Sequence, residues 1–153
     1  MVERMKKIQV RSRDIERELT QYAISITKKD HVELLEDAFR VLLINHEPAF
    51  FEYHDTWVPA LKYLQTHPCL RKVTVDMGAI RFIIGGADIM RPGVVAIDEG
   101  IAKDDFVVVV DQTHCKPLSV GIALMDSAAM KAITSGKVVK NIHYVGDELW
   151  KMV

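Results

Sequence analysis

The run Gly86-Ala87-Asp88-Ile89-Met90-Arg91-Pro92-Gly93 places an acid, a guanidinium and a Pro-Gly turn between two apolar segments. Glycines at 85, 86 and 93 remove side chains, so another chain's backbone can approach, and amides freed near the turn can donate to anionic oxygens. That chemistry suits a phosphodiester. A helix stop followed by a turn would leave the same letters, so local physics admits both meanings. Arg81 and Arg91 accompany the run, each either a solvated surface cation or a phosphate contact, since backbone contacts need only a few well-placed cations. Helical spacing sets Phe82 on the side opposite Met77, Ile80, Ile83 and Ile84. There it either packs against the N-terminal half or offers a platform on which a base can stack.

Other chemistries require constellations that the chain does not contain. It has no phosphate loop ending in Gly-Lys-Ser/Thr, no Gly-x-Ser-x-Gly elbow and no His-Glu-x-x-His pair. Gly85-Gly86 closes a helix, whereas a dinucleotide fingerprint opens one. His67, Cys69, His114 and Cys115 form a permissible zinc set by type, but their spacing matches no common zinc pattern, so neither metal nor cofactor is expected. His31, His46, His54 and His143 read as strand or turn residues without a positioned partner, and Asp104-Asp105 and Asp147-Glu148 as solvated turns. No catalytic residue emerges, and the expectation is a protein that is not an enzyme.

The elements that would position the glycine-rich run follow from periodicity. In 153 residues of 49% hydrophobic content there is material for a folded core, and 20 basic against 21 acidic residues rule out a global basic field. Any polyanion site must therefore be local. The longest apolar runs, such as Phe106 to Val110, fall far short of the roughly 20 residues that span a bilayer. The start, "MVERMKK", lacks the apolar region of a signal peptide, and two cysteines make no disulfide framework. A cytoplasmic protein with no membrane partner is expected.

"MKKIQV" reads as a strand, followed by a helix capped by Ser12 with Ile15, Leu19, Tyr22 and Ile26 on one face. "HVELLE", "FRVLLIN" and "AFFEYH" read as strands, the last two joined as a hairpin across His46-Glu47-Pro48. "WVPALKYLQ" reads as a helix with Pro59 in its first turn. Pro68 then stops the pattern, which restarts at Val73, dividing the chain into residues 1–71 and 72–153. The second part opens with a short strand and a helix from Met77, with Asp76 as cap and Gly85-Gly86 as terminator. Strands are expected at Val94 to Ile97, Phe106 to Val110, Leu118 to Leu124, Ile142 to Val145 and Leu149 to Met152, with a helix "DSAAMKAITSG" stopped by Gly136. Many short strands separated by turn signals predict an α+β protein: a small N-terminal α/β subdomain followed by a nearly closed β barrel with rim helices.

The run "VDMGAIRFIIGGADIMRPGVVAID", with "VGIALM" and the ending "NIHYVGDELWKM", resembles a PUA domain, and the resemblance covers about Val73 to Val153. The upstream "WVPALKYLQTHP" is similar to the half that precedes the PUA domain in the malignant T-cell amplified sequence family. The resemblance implies a pseudobarrel that binds structured RNA, tRNA or ribosomal RNA, through its first helix, the following loop and the last strand. Carried over by matching position, the RNA-binding residues would be Arg81, Gly86, Ala87, Asp88, Met90, Arg91, Pro92, Gly93, Trp150 and Lys151. It also implies work in translation initiation or ribosome recycling, with the small ribosomal subunit and a partner like the density-regulated protein. The human-type loop has Cys where this chain has Arg91. Two other readings stand beside it: a protein-interaction adaptor of the translation machinery, and an accessory subunit of an RNA-modification enzyme.

Overall fold

The computed structural model describes residues 6–152 and divides into two compact units between Cys69 and Leu70. In the first unit, strands β1 (Lys6–Val10), β2 (Val32–Glu36), β3 (Arg40–Ile44), β4 (Glu47–Tyr53) and β5 (Thr56–Pro59) form an antiparallel meander in sequence order. Met5, the first residue of the expected opening strand, lies outside the described residues. Helix α1 (Ser12–Leu19) and a 3-10 turn at Thr20–Tyr22 bury Ile15, Leu19 and Tyr22. Tyr22 donates its hydroxyl to the Trp57 carbonyl at 2.6 Å, and burial raises its pKa.

Three local expectations change here. Ser12 is the first helical residue and not the cap, which is Arg11 with no side-chain bond. The helix does not continue to Ile26: Ala23 takes a left-handed conformation (φ 58°), and Ile26 reaches the core from the loop beyond it. "WVPALKYLQ" begins as strand β5, and only Leu61–Leu64 (α2) is helical. Trp57 and Val58 pair with β4, and a proline at the end of an edge strand removes no ladder bond that the sheet needs. The expected β3–β4 hairpin forms, but its turn is Asn45-His46; Glu47 and Pro48, expected in the turn, pair with β3 as the first residues of β4.

The second unit is a six-stranded mixed sheet of order β7-β11-β10-β9-β6-β8. Its strands are β6 (Lys72–Val75), β7 (Ile89–Met90), β8 (Val94–Ile97), β9 (Phe106–Asp111), β10 (Pro117–Ala123) and β11 (Lys137–Tyr144), and only β6 and β9 run parallel. The edge strands β7 and β8 are consecutive in sequence. The 3-10 turn Arg91–Gly93 joins them, so the sheet nearly closes on itself as a pseudobarrel. Val73 and Val75 on β6 and Val107 and Val109 on β9 fill the interior, two apart as alternation along strands requires, and Val138 and Val139 join them beside a register shift in β11.

Helix α3 (Ile80–Ile83) follows a 3-10 turn at Met77–Ala79, and α4 (Ser127–Ala132) lies between β10 and β11. Asp76 caps the first as expected, accepting the Ala79 amide at 2.9 Å, and Asp126 caps α4 through Ala129 at 2.8 Å. Helix α4 ends at Ala132, four residues before Gly136. The Leu149–Met152 strand is absent; Glu148–Met152 is helix α5, because Asp147 accepts the Trp150 amide at 2.8 Å and starts a helical turn. No helix among the described residues is long and apolar enough to cross a membrane.

Candidate functional site

The glycine-rich run crosses the seam where the barrel's edges meet. Helix α3 ends in a Schellman motif: the Gly86 amide donates to Ile83 O and the Ala87 amide to Phe82 O, both at 3.0 Å, with Gly86 at φ 96°. A Cβ at Gly86 would lie 3.2 Å from the Tyr144 hydroxyl, and one at Gly93 3.3 Å from the Ala79 methyl. The space freed by these glycines is filled by the protein's own side chains. The amides are also engaged, since Arg91 N donates to Gly136 O at 2.8 Å. The expected cradle of free amides is thus not formed at Gly86, Ala87 or Arg91.

Arg91 is no solvated surface cation. Half-buried, it donates from Nε to Met130 O at 2.7 Å and from Nη1 to Val94 O at 3.0 Å, tying α4 and β8 to the loop. Asp88 is held likewise by the Asn141 amide at 3.0 Å and by Lys137 at 3.1 Å. Burial alone would raise its pKa, but the Asn141 amide and Lys137 bring it below the ordinary carboxylate range. Asn141 completes the staple by donating from Nδ2 to Ile83 O at 3.1 Å and Ala87 O at 3.0 Å. Sequence reasoning did not select Asn141 or Tyr144, whose positions in the quoted "NIHYVGDELWKM" ending were the only available signal.

Above this scaffold lies a groove of about 420 Å³ lined by Asp76, Gly78, Ala79, Phe82, Ile83, Ala87, Asp88, Met90, Pro92 and Gly93. Phe82 is 56% exposed at its edge, and the Arg81 guanidinium sits 4.8 Å from the centroid of the Phe82 ring. Met77 and Ile84, expected on a buried face with Ile80 and Ile83, are instead exposed, because the short α3 presents only Ile83 and, in part, Ile80 to the core. An aromatic ring, a cation and an apolar groove thus adjoin one another. Such a surface can stack a planar group and hold a nearby anion.

The sequence places His143 as a strand or turn residue without a partner and Asp147 in a solvated turn; the structure corrects both. His143 is buried, and its Nδ1 lies 2.9 Å from Asp147 Oδ2. Asp147 also accepts the amides of Tyr144 (2.9 Å) and Trp150 (2.8 Å). Burial pushes the Asp147 carboxyl up, but His143 and these two amides outweigh it and leave the pKa lowered.

A PUA domain family model matches residues 71–145, and a domain of unknown function, DUF1947, matches residues 8–67. The chain is 48% identical over 127 residues to an uncharacterized protein of Methanocaldococcus jannaschii, covering 82% of this chain and 78% of that one. It is 34% identical to translation machinery-associated protein 20 of Schizosaccharomyces pombe, over 77% of this chain and 68% of that protein. Malignant T-cell-amplified sequence 2 of Mus musculus is 34% identical over 82% of this chain and 73% of its own length. The chain belongs to this PUA-domain family. Its fold matches a PUA-domain crystal structure from Aeropyrum pernix K1, a tartrate complex, with a TM-score of 0.89 at 26% identity, covering 97% of this chain and 91% of that one. A chain in the structure of an H/ACA RNP bound to a substrate RNA matches 63% of this protein and 29% of its own length, with a TM-score of 0.52 at 25% identity.

Within the PUA domain, the expected site residues fall into distinct places. Ala87, Asp88, Met90, Pro92 and Gly93 line the groove, and Arg81 stands at its edge on Phe82. Gly86 and Arg91 lie behind the groove wall as parts of the scaffold. Trp150 and Lys151 are on α5, held to β11 through Asp147.

Proposed function

We propose that the PUA half binds structured RNA without catalysis, with Phe82 and Arg81 receiving an unpaired base and its phosphate and the groove accepting the neighbouring nucleotide. The observation that carries this reading is the exposed Arg81–Phe82 pair beside the apolar groove. Membership of a family whose relatives are named for the translation machinery, and the fold shared with a chain of an RNA-bound H/ACA RNP, support it. Arg81, Met90 and Pro92 supply contact surface. Gly86, Asp88 and Arg91 act by shaping it, and Trp150 and Lys151 extend it along α5. Ala87 and Gly93 leave room at the groove floor. The RNA is a tRNA or a ribosomal RNA met during translation initiation or ribosome recycling. In that setting the protein works in the cytoplasm, on the small ribosomal subunit, beside a partner resembling the density-regulated protein.

With a net charge of −1 and few free cations at the groove, the reading requires a shallow salt dependence, roughly one to three logarithmic units of affinity per unit of log salt. Filter binding of tRNA and ribosomal RNA across a salt series tests it. Phe82→Ala should weaken binding by ~1–3 kcal/mol while the barrel stays folded. Absence of saturable binding at low salt overturns the reading. Edge strand β1, with Ile8 exposed, favours a second reading in which the N-terminal unit docks a protein. A nuclease-resistant complex with a translation factor, insensitive to Phe82→Ala but broken by Ile8→Asp, would select it.

A further inference from the structure

We infer that the N-terminal unit carries a divalent transition-metal site, best suited to zinc, formed by His31, Glu33 and His46 at the β3–β4 turn. Among the described residues, this is the group of three potential ligands within mutual reach, and the His67, Cys69, His114 and Cys115 set is not. His31, just before β2, and Glu33 within it are two apart in extended chain, so their side chains leave the same side. His46 reaches that face from the turn joining β3 and β4. Glu33 Oε1 lies 3.4 Å from His31 Nε2 and 3.3 Å from His46 Nδ1, and the two imidazole centroids are 5.0 Å apart.

Two imidazole nitrogens and a carboxylate oxygen converge here, an arrangement that a bound cation would make favourable. A shared proton fits poorly. Glu33 Oε1 is buried and accepts no hydrogen bond among the described residues, and both N···O separations exceed the ordinary range of about 2.7–3.2 Å. A tetrahedral ion with bonds of about 2.1 Å instead has ligand–ligand edges of about 3.4 Å, close to the two edges that Glu33 makes here. The donor atoms all lie within 4.8 Å of one another, and the exposed His46 side chain is free of burial constraints on its ring orientation. Imidazole with carboxylate is a donor set that suits zinc, and three protein ligands leave the fourth position to water.

The surroundings pre-organise the site. The Asn45 amide donates to His31 O at 2.7 Å, and the His31 amide donates to Asn45 Oδ1 at 2.9 Å, while Asn45 Nδ2 reaches Asp30 at 3.1 Å. These bonds lock the strand start to the turn. Asn45 and His46 both have positive φ (51° and 70°), a two-residue turn whose second position favours glycine. A histidine held there at a conformational cost, aimed at a buried carboxylate, has a use in gripping an ion.

The test uses the full chain stripped of metal with a chelator and then titrated with Zn²⁺ by calorimetry and with Co²⁺ by visible absorption. One ion per chain is expected, with the intense bands of low-coordinate Co²⁺ and a rise in melting temperature on metal addition. His46→Gly suits the turn's backbone, so its metal-free melting temperature should equal or exceed that of the parent. It should nevertheless bind at least tenfold more weakly and lose the metal-dependent rise. Glu33→Gln should also lose binding, and Arg81→Ala should leave it unchanged, separating this site from the RNA reading. Lack of stoichiometric uptake, or parental affinity in folded His46→Gly, overturns the inference.

Discussion

Arg91 and Arg81 are ten residues apart and alike in charge, yet the structure gives them opposite expected phenotypes. Arg91→Ala removes two guanidinium bonds, to Met130 O and Val94 O, at the seam of the barrel. Hydrogen bonds to a charged group contribute about 1.5–3 kcal/mol each when the alternative is an unpaired partner. Because Arg91 is half-buried, water takes over part of each, and a total loss of about 2–3 kcal/mol follows. With a urea dependence of about 1–3 kcal/mol per molar, the unfolding midpoint should fall by roughly 1 M. Arg81 is exposed over Phe82, and an exposed cation–π contact contributes about 0.5–1 kcal/mol, so Arg81→Ala should shift the midpoint little. Its effect belongs in binding: a loss of about 1.4 kcal/mol there is a tenfold weaker complex with tRNA. Trp150 fluorescence in a Trp57→Phe background follows the barrel during urea unfolding, and filter binding reads the affinity. Parental stability in Arg91→Ala, or equal destabilisation by the two substitutions, would refute the assignment of one arginine to scaffold and the other to surface.

Gly121 sits at a bulge in β10, where an added Cβ would lie 2.6 Å from Lys140 O and collide with the Val139 side chain. Gly121→Ala should therefore cost about 1–3 kcal/mol or more by forcing β10 and β11 apart, and a parental urea midpoint would contradict this. Acid should weaken the PUA domain through Asp88, Asp111 and Asp147, whose pKa values are all lowered in the folded chain. Their contribution is complete above the unfolded-state value of about 4 and is lost as pH falls through the lower folded values, since the unfolded chain then binds more protons. Asp147→Asn should flatten the loss of stability between about pH 5 and 2, and parallel curves for parent and variant would show that this carboxylate is not responsible.

Much of the fold was legible because it rests on local chemistry. The valine run announced β9, Asp76 the start of the turn into α3, and the paired glycines its end, whereas β11, expected only from Ile142, begins at Lys137. Short apolar stretches misled. "LWKM" has too few residues to distinguish strand from helix by period, and the Asp147 cap decides it; "TWVP" became a strand because β4 offered it a partner. The loop's role as a seam was not visible, since neither β7 with β11 nor β6 with β8 is a neighbour pair in sequence.

The sequence by itself determined the two-part α+β architecture, the family, and the stretch from Arg81 to Gly93 as the place to look. Periodicity, caps and turn residues act over a few positions and are written there in order. Only the tertiary structure decided which of those residues face outward. It turned Arg91, Asp88 and the glycines inward onto carbonyls, amides and Tyr144, left Arg81 and Phe82 exposed, and drew His31, Glu33 and His46 to one point across a hairpin. A side chain's role depends on which distant backbone groups come within hydrogen-bonding reach, and that distance is set by strand pairing that no local pattern records.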